Sequence, residues 1–290
     1  MKIYSLYYFY RKLMSQFMIF LTVAFSILTV LPFFYIVFYI LKRGLPAINW
    51  NLLTRLPQSP SGMEGGLANG IIGSMIMVGL ACLIGIPWGT VLGICLNEYR
   101  SSRISKVLKF IIDLSISTPS IVIGIFVYSC MVILFGFSAY AGAISLMIIL
   151  IPIVARSSEE IFKMIPNHIR EAGLALGLPR WKIIVRILLP GTLTMLLSGI
   201  ILAIARICGE TAPLLFTALG NQYFSRSLSE PTASLPVQIY EFAKSGFDNL
   251  ESMAWGGALL LITFVFLINF CTRVIVFMTN PYSRSGLSGR

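Results

Sequence analysis

Six long apolar runs, separated by short polar segments, dominate the chain; they fall near 17–41, 69–96, 107–135, 137–155, 191–219 and 253–278. Carrying a helix through a hydrocarbon layer takes roughly 20 residues, and the longer runs imply tilt or ends that project into water. A β-barrel would need alternating segments of about ten residues. None of the six runs alternates. The pattern predicts an all-α integral membrane protein with six transmembrane helices.

The first run follows Lys2, Arg11 and Lys12, as the core of a secretion signal would. A signal core is only about 7–15 residues long and is followed by a small-residue cleavage pattern. This run is longer and lacks that pattern, so it reads as a retained anchor. Composition points to the same class. Hydrophobic residues make up 57% of the chain and charged residues 11%, whereas a soluble domain has about 25% charged residues.

Lysines and arginines accumulate in the cytoplasmic segments of membrane proteins. With the N-terminus inside, the inner segments hold Arg100, Arg103, Lys106 and Lys109, six basic residues from Arg156 to Arg186, and three in each terminal tail. The outer loops then hold only Lys42, Arg43, Arg55, Arg226 and Lys244. Both termini and the segment 156–190 are therefore expected in the cytoplasm. The net charge of +11 mostly expresses this bias. No basic cluster has interleaved aromatics, so nucleic acid is not an expected partner.

The five cysteines, at 82, 95, 130, 208 and 271, lie in apolar runs without CxxC spacing, and His168 is the single histidine. They read as packing residues and a surface imidazole, with no metal, disulfide or cofactor implied. No G-x4-G-K-[ST], H-E-x-x-H or G-x-S-x-G occurs, so neither ATP binding nor catalysis is expected of this polypeptide. Any energy source must be a separate subunit or an ion gradient. No internal repeat of the kind common in secondary transporters is visible.

The segment 156–190 is the least apolar part of the middle of the chain. Pro166 and Asn167 suit a helix start and Gly177 a left-handed stop, with Ile169, Ala172 and Leu176 on one face between them. Pro179 suits the first turn of a second short helix, in which Trp181, Ile184, Val185 and Leu188 form an apolar stripe. Two readings follow from the residues: a basic amphipathic loop lying on anionic lipid, or a docking element for a cytoplasmic partner. The small residues Ala172, Gly173 and Ala175 favour docking, because they let another backbone come close.

Beyond the basic residues at the inner ends of the runs (Lys109 and Arg273), three ionisable residues, Asp113, Arg206 and Glu210, fall inside them, where burial costs about 2.5–3.5 kcal/mol each on insertion scales. Arg206 and Glu210 are four apart, hence on one face of a helix, and Arg206 lies about 24 Å along from Pro190. They form either an ion pair that locks helices or a polar lining of a substrate path. A guanidinium matches the oxygens of a phosphate through its planar fork of donors. Pro213 would loosen the helix just beyond. Asp113 is expected to snorkel or to pair with Lys109. Gly85, Gly89 and Gly93, with Ala81, form a small-xxx-small stripe for close packing against another helix, in this chain or across a subunit boundary.

Glu171-Ala172-Gly173, then Gly177, Ile187 and Leu189-Pro190, resembles the EAA-x3-G-x9-I-x-LP motif of ABC-importer permeases. Every spacing matches, and the one departure is Gly173 for the second alanine. "STPSIVIGIF" (Ser117–Phe126), "GETAPLLFTALG" (Gly209–Gly220) and "ASLPVQIYEFA" (Ala233–Ala243) are similar to runs of the phosphate permeases in that family. Sulfate and molybdate permeases share the loop motif but are less similar in these runs. The resemblance implies a type I ABC importer permease fold, with the core in 67–278, the tail, first helix and first external loop in 1–66, and a C-terminal tail in 279–290.

The resemblance also implies partners: a second homologous permease subunit, two copies of a cytoplasmic ATPase, and an extracytoplasmic phosphate-binding protein, all at a bacterial inner membrane. Glu171, Ala172, Gly173 and Gly177 would belong to the coupling helix that fits a groove on the ATPase. Arg206 and Glu210 would belong to the transport route. Against these stand three other expectations: a permease for sulfate or molybdate, an ion-driven secondary carrier, and a purely structural scaffold.

Overall fold

The structure is a computed structural model that describes residues 2–58 and 65–279. Most of the tail expected at 279–290 and the middle of the first outer loop lie outside the described residues. Helix α1 (Lys2–Gly44) carries the first apolar run and ends in the turn Leu45–Ala47. Its apolar window is left uncovered by the rest of the chain. A helix hydrophobic all round and unburied by its own protein belongs in hydrocarbon, not water. Its far end packs on the last described helix of the chain, where Gly44 meets Leu259 and Tyr39 meets the edge of Trp255. The short α2 (Trp50–Thr54) follows, capped by Asn49, whose Oδ1 accepts from the Leu52 N–H at 2.7 Å.

The centre of the bundle is α3 (Ala68–Glu98) packed along α7 (Ala139–Lys163). The small-residue stripe explains the pairing. A Cβ on Gly85 would lie 2.9 Å from Leu150 Cδ2, one on Gly89 2.8 Å from Val154 Cβ, and one on Gly93 2.6 Å from Ser158 Cβ. The stripe thus packs within the chain. Leu146, Leu150, Val154 and Ala155 of α7 are completely buried.

Between these helices the third apolar run, expected as a span over 107–135, is not one continuous helix but is sharply bent at a break. Helix α4 (Arg103–Ser117) stops at Thr118, extended at φ −72°, ψ 129°, and α5 (Ser120–Val127) leaves at 103° to it. Pro119 is the cause: it disfavours the α conformation in the residue before it. The π turn Tyr128–Val132 and α6 (Ile133–Phe135) complete this segment. Helix α4 has three faces. Leu108, Ile112 and Ile116 pack on Leu96 and Ala155, Val107, Phe110, Ile111 and Leu114 are exposed, and Lys109 and Asp113 share the third.

After α7 come α8 (Asn167–Ala175) and α9 (Arg180–Ile183), which passes through the π turn Ile184–Leu188 into α10 (Leu189–Cys208). The run expected over 191–219 is also broken. In a continuous helix the Pro213 ring would clash with the carbonyl of residue 209, and α10 gives way at Gly209. Pro213 sits instead in the first turn of α11 (Ala212–Thr217), where no N–H is needed. Pro213 lies against Gly124 of α5, and Leu214 joins the main core with Met77, Leu146 and Ile207.

Helix α12 (Leu235–Ala243) crosses the start of α3. The Leu235 N–H donates to Ser74 Oγ at 2.8 Å, and Gln238 Nε2 donates to Asn69 Oδ1 at 2.9 Å. Helix α13 (Asp248–Thr279) closes the bundle against α1, α10 and α12. Among the described residues five helical stretches are long and apolar enough to cross a membrane, and the bent α4–α6 segment makes a sixth if counted as one span. The chain is a multi-pass membrane protein.

Candidate functional site

The segment between α7 and α10 forms an elbow. Pro166 is extended at φ −62°, ψ 142° and starts α8. At the other end Gly177 takes φ +76°, its N–H donates to the Leu174 carbonyl at 2.9 Å, and the Leu178 N–H reaches back to the Gly173 carbonyl at 3.1 Å. This paired closure satisfies two carbonyls of the last turn and needs a left-handed residue at its pivot, which glycine supplies with least strain. The Gly-Leu-Pro corner read from the sequence is present.

Which residues face outward differs from expectation. Glu171, Ala172, Leu174, Ala175 and Gly177 are exposed, and Leu176 is 80% exposed. Gly173 is buried: a Cβ there would lie 2.9 Å from Ile183 Cδ1. Its smallness lets α8 lie on α9 and is not presented to a partner. The second stripe also shifts. Ile183 and Leu188 are buried against Phe162, whereas Trp181 and Val185 are exposed. An apolar spacing marks a face but not which of two neighbouring faces has a core behind it. His168 is exposed, as expected.

Arg206 lies in the last turn of α10, where a cation complements the negative end of the helix dipole. Glu210 is not on that helix, contrary to expectation; it lies in the break between α10 and α11. The Arg206 Nε to Glu210 Oε1 distance is 3.8 Å, close enough for an ion pair and too long for a hydrogen bond. Arg206 is 53% exposed and Glu210 15%. Among the described residues Arg206 has no hydrogen-bond partner, so its fork of donors is uncommitted. Farther along the chain, Asn221, Tyr223, Gln238 and Glu241 line a cavity of about 680 Å³ beside α12.

Two further charged constellations were not read from the sequence. Glu159, 3% exposed, is approached by Lys109 at 3.1 Å, Arg156 at 3.0 Å and Lys163 at 2.5 Å. Arg156 also pairs with Glu160 at 3.1 Å and Asp113 at 3.9 Å. Lys109 therefore serves Glu159, and Asp113 finds Arg156 in place of the expected Lys109. The i, i+3 and i+4 spacing of Arg156, Glu159, Glu160 and Lys163 was the available signal. The second constellation joins Arg170 to Glu98, with Nε donating to Oε1 at 3.0 Å. No local spacing could reveal that pair, whose partners are 72 residues apart.

Among the described residues no group of three or more His, Cys, Asp or Glu side chains is placed to hold a metal ion. The elbow leaves Glu171, Ala172 and Gly177 exposed, and the α10–α11 break leaves the Arg206 guanidinium half exposed beside Glu210.

Comparison with known proteins narrows these possibilities. Residues 85–281 match the family described as binding-protein-dependent transport system inner membrane component. The chain is 45% identical over 240 residues to the Phosphate transport system permease protein PstA of Xylella fastidiosa, covering 82% of this chain and 83% of that protein. It is 42% identical to the PstA protein of Haemophilus influenzae, covering 93% and 96%. An archaeal relative, the probable PstA protein of Methanocaldococcus jannaschii, is 35% identical over 87% of this chain and 90% of its own.

Among solved structures, a chain of the inward-facing MetNI methionine ABC transporter aligns with TM-score 0.62 and 21% identity, over 74% of this chain and 96% of that one. A chain of the bacterial alginate ABC transporter aligns with TM-score 0.65 and 17% identity, over 90% and 95%. Those two share the fold, that of type I ABC importer permeases.

Proposed function

This chain belongs to the family of binding-protein-dependent transport system inner membrane components, and from that premise we propose that it is a permease subunit of an ATP-driven importer of inorganic phosphate. Membership makes it a transport component that works with other ABC transporter parts, not an enzyme. In the proposed assembly a second, homologous permease completes the path. Two copies of an ATPase dock from the cytoplasm on α8, and an extracytoplasmic binding protein delivers phosphate. Both termini are inside, residues 67–278 form the permease core, and residues 279–290 are a cytoplasmic tail.

One observation carries the reading: α8 ends in an exposed glycine pivot, with Glu171, Ala172 and Gly177 turned outward at the motif's spacing. Closing of the ATPases on ATP would draw the docked elbows together and open the path outward, and hydrolysis would reset it. Arg206 would meet phosphate through its uncommitted donors. Glu210 would keep the guanidinium in place and weaken its hold, since a carrier has to release what it binds. The PstA names of the relatives support phosphate over another oxyanion.

Ala172→Trp tests the docking, because it adds bulk at an exposed helical position without straining the backbone. The ATPase should no longer co-purify while the chain still accumulates in the membrane. Retained ATPase and undiminished uptake would favour an ion-driven carrier. Uptake of labelled phosphate against excess sulfate or molybdate tests the substrate; effective competition by either would sink the phosphate assignment.

A further inference from the structure

The guanidinium of Arg170, one residue before the exposed Glu171, has all three of its nitrogens engaged. Its Nε donates to Glu98 Oε1 at 3.0 Å, Nη1 to the Ile165 carbonyl at 3.1 Å and Nη2 to the Phe162 carbonyl at 3.1 Å. The Arg170 side chain is 17% exposed and that of Glu98 15%. We infer that Arg170 is a positioning residue through which movement of α8 is passed to the α3–α7 pair, with Glu98 completing the grip. The inference rests on the coupling reading above and says where force enters the membrane part.

The partners of Arg170 give it that role. Phe162 lies in the last turn of α7, where the last carbonyls have no helical partner of their own, and Ile165 lies in the bend just after it. Glu98 is the final residue of α3. One planar fork thus ties the first turn of α8 to the ends of both central helices, and it does so at the bend between α7 and α8. Helices α3 and α7 already approach through the Gly85, Gly89 and Gly93 contacts, so a pull on α8 reaches them as one body.

The other way out of α8 is more compliant. It runs through the Gly177 pivot, the Gly173–Ile183 contact and the π turn Ile184–Leu188 before reaching α10, which carries Arg206. A π turn has one residue too many for regular helical bonding and marks a place where a helix adjusts. The tight route leads to α3 and α7, and the loose route leads to the α10–α11 break. On ATPase closure the central pair follows α8 first, and α10 adapts to it.

The test uses the full complex in phosphate-loaded liposomes, unmodified and with Arg170→Lys or Glu98→Gln. Arg170→Lys keeps a positive charge for Glu98 but loses the fork to the two carbonyls. Glu98→Gln keeps size and an acceptor and serves if the first variant fails to fold. Three quantities are measured: ATPase retained on purification, hydrogen exchange of residues 167–176, and phosphate moved per ATP hydrolysed.

We expect the ATPase to stay bound, exchange in α8 to rise about tenfold, and phosphate per ATP to fall about tenfold, the scale of one lost charge-assisted hydrogen bond. A residue that only stabilised the elbow would lower uptake and hydrolysis in proportion and leave their ratio alone. An unchanged ratio, or unchanged exchange in α8, overturns the proposal. Failure of the coupling reading shows differently, as an ATPase that remains bound to the Ala172→Trp chain.

Discussion

Two of the arginine–glutamate pairs, Arg170–Glu98 and Arg206–Glu210, look alike on paper and differ in distance and in how the arginine is held. Arg170 and Glu98 meet at 3.0 Å, both largely buried, with every guanidinium nitrogen occupied. Arg206 and Glu210 stand 3.8 Å apart at the broken end of a helix, with the arginine half exposed. A guanidinium whose donors are all spent on its own chain is a structural clamp. One whose donors are unspent, beside a carboxylate that holds it only by charge, has the freedom a transient anion contact needs. Burial and geometry, more than residue type, separate the two roles.

The strongest way to break this contrast is to remove each arginine and compare stability. Arg170→Met leaves Glu98 buried without its partner and two carbonyls unmet, so it should destabilise the folded chain by about 3–5 kcal/mol. Arg206→Met should change stability by less than about 1 kcal/mol, because its pair is long and half exposed. Thermal unfolding of the purified chains in detergent measures both. Equal losses would erase the distinction.

Transport should reverse the ranking of residues that stability produces. Arg206→Met combined with Glu210→Gln is expected to lower phosphate uptake about a hundredfold, the loss of one to two charge-assisted hydrogen bonds to the substrate. The ATPase should still co-purify. Uptake that survives the double change would return Arg206 to a helix-locking or scaffold role.

A smaller effect should follow from loosening the pair of helices that Arg170 grips. A Cβ at Gly89 would stand 2.8 Å from Val154 Cβ, so Gly89→Ala forces α3 away from α7 at a cost of about 1–3 kcal/mol. The same change at Gly79, which has open space around it, should be close to neutral. Unfolding measurements on the two variants give the difference, and matching values would show that the stripe does not set the helix spacing.

Much of this architecture was legible in the residue pattern. The six runs, the Gly177 corner and the Gly85–Gly93 stripe are local signals, set by periodicity and backbone preference. The breaks at Pro119 and Gly209 were carried by proline, yet an apolar run hides them because hydrophobicity has no directional information. Gly173 was read correctly as a demand for smallness and assigned to the wrong neighbour, since spacing does not say what lies across the contact. Arg206 and Glu210 drew attention because charge is rare in an apolar run. Arg170 and Glu98 did not, because each sits in a polar segment and their meeting depends on how α3 and α8 come together.

The finest test of the contrast asks what kind of cation each place needs. Lysine keeps the charge of arginine but offers a compact ammonium in place of a planar fork. At Arg206 the carboxylate is held by charge at 3.8 Å, so Arg206→Lys should preserve that pairing and fold normally. Phosphate would lose only the second donor of a two-point contact, and uptake should fall about tenfold or less. At Arg170 the same exchange abandons two backbone carbonyls that no ammonium can reach together with Glu98. Measured side by side, Arg206→Lys should lower uptake with an unchanged ratio of phosphate to ATP at saturating phosphate, whereas Arg170→Lys should lower the ratio itself. A shared phenotype would mean that both arginines act in one and the same way.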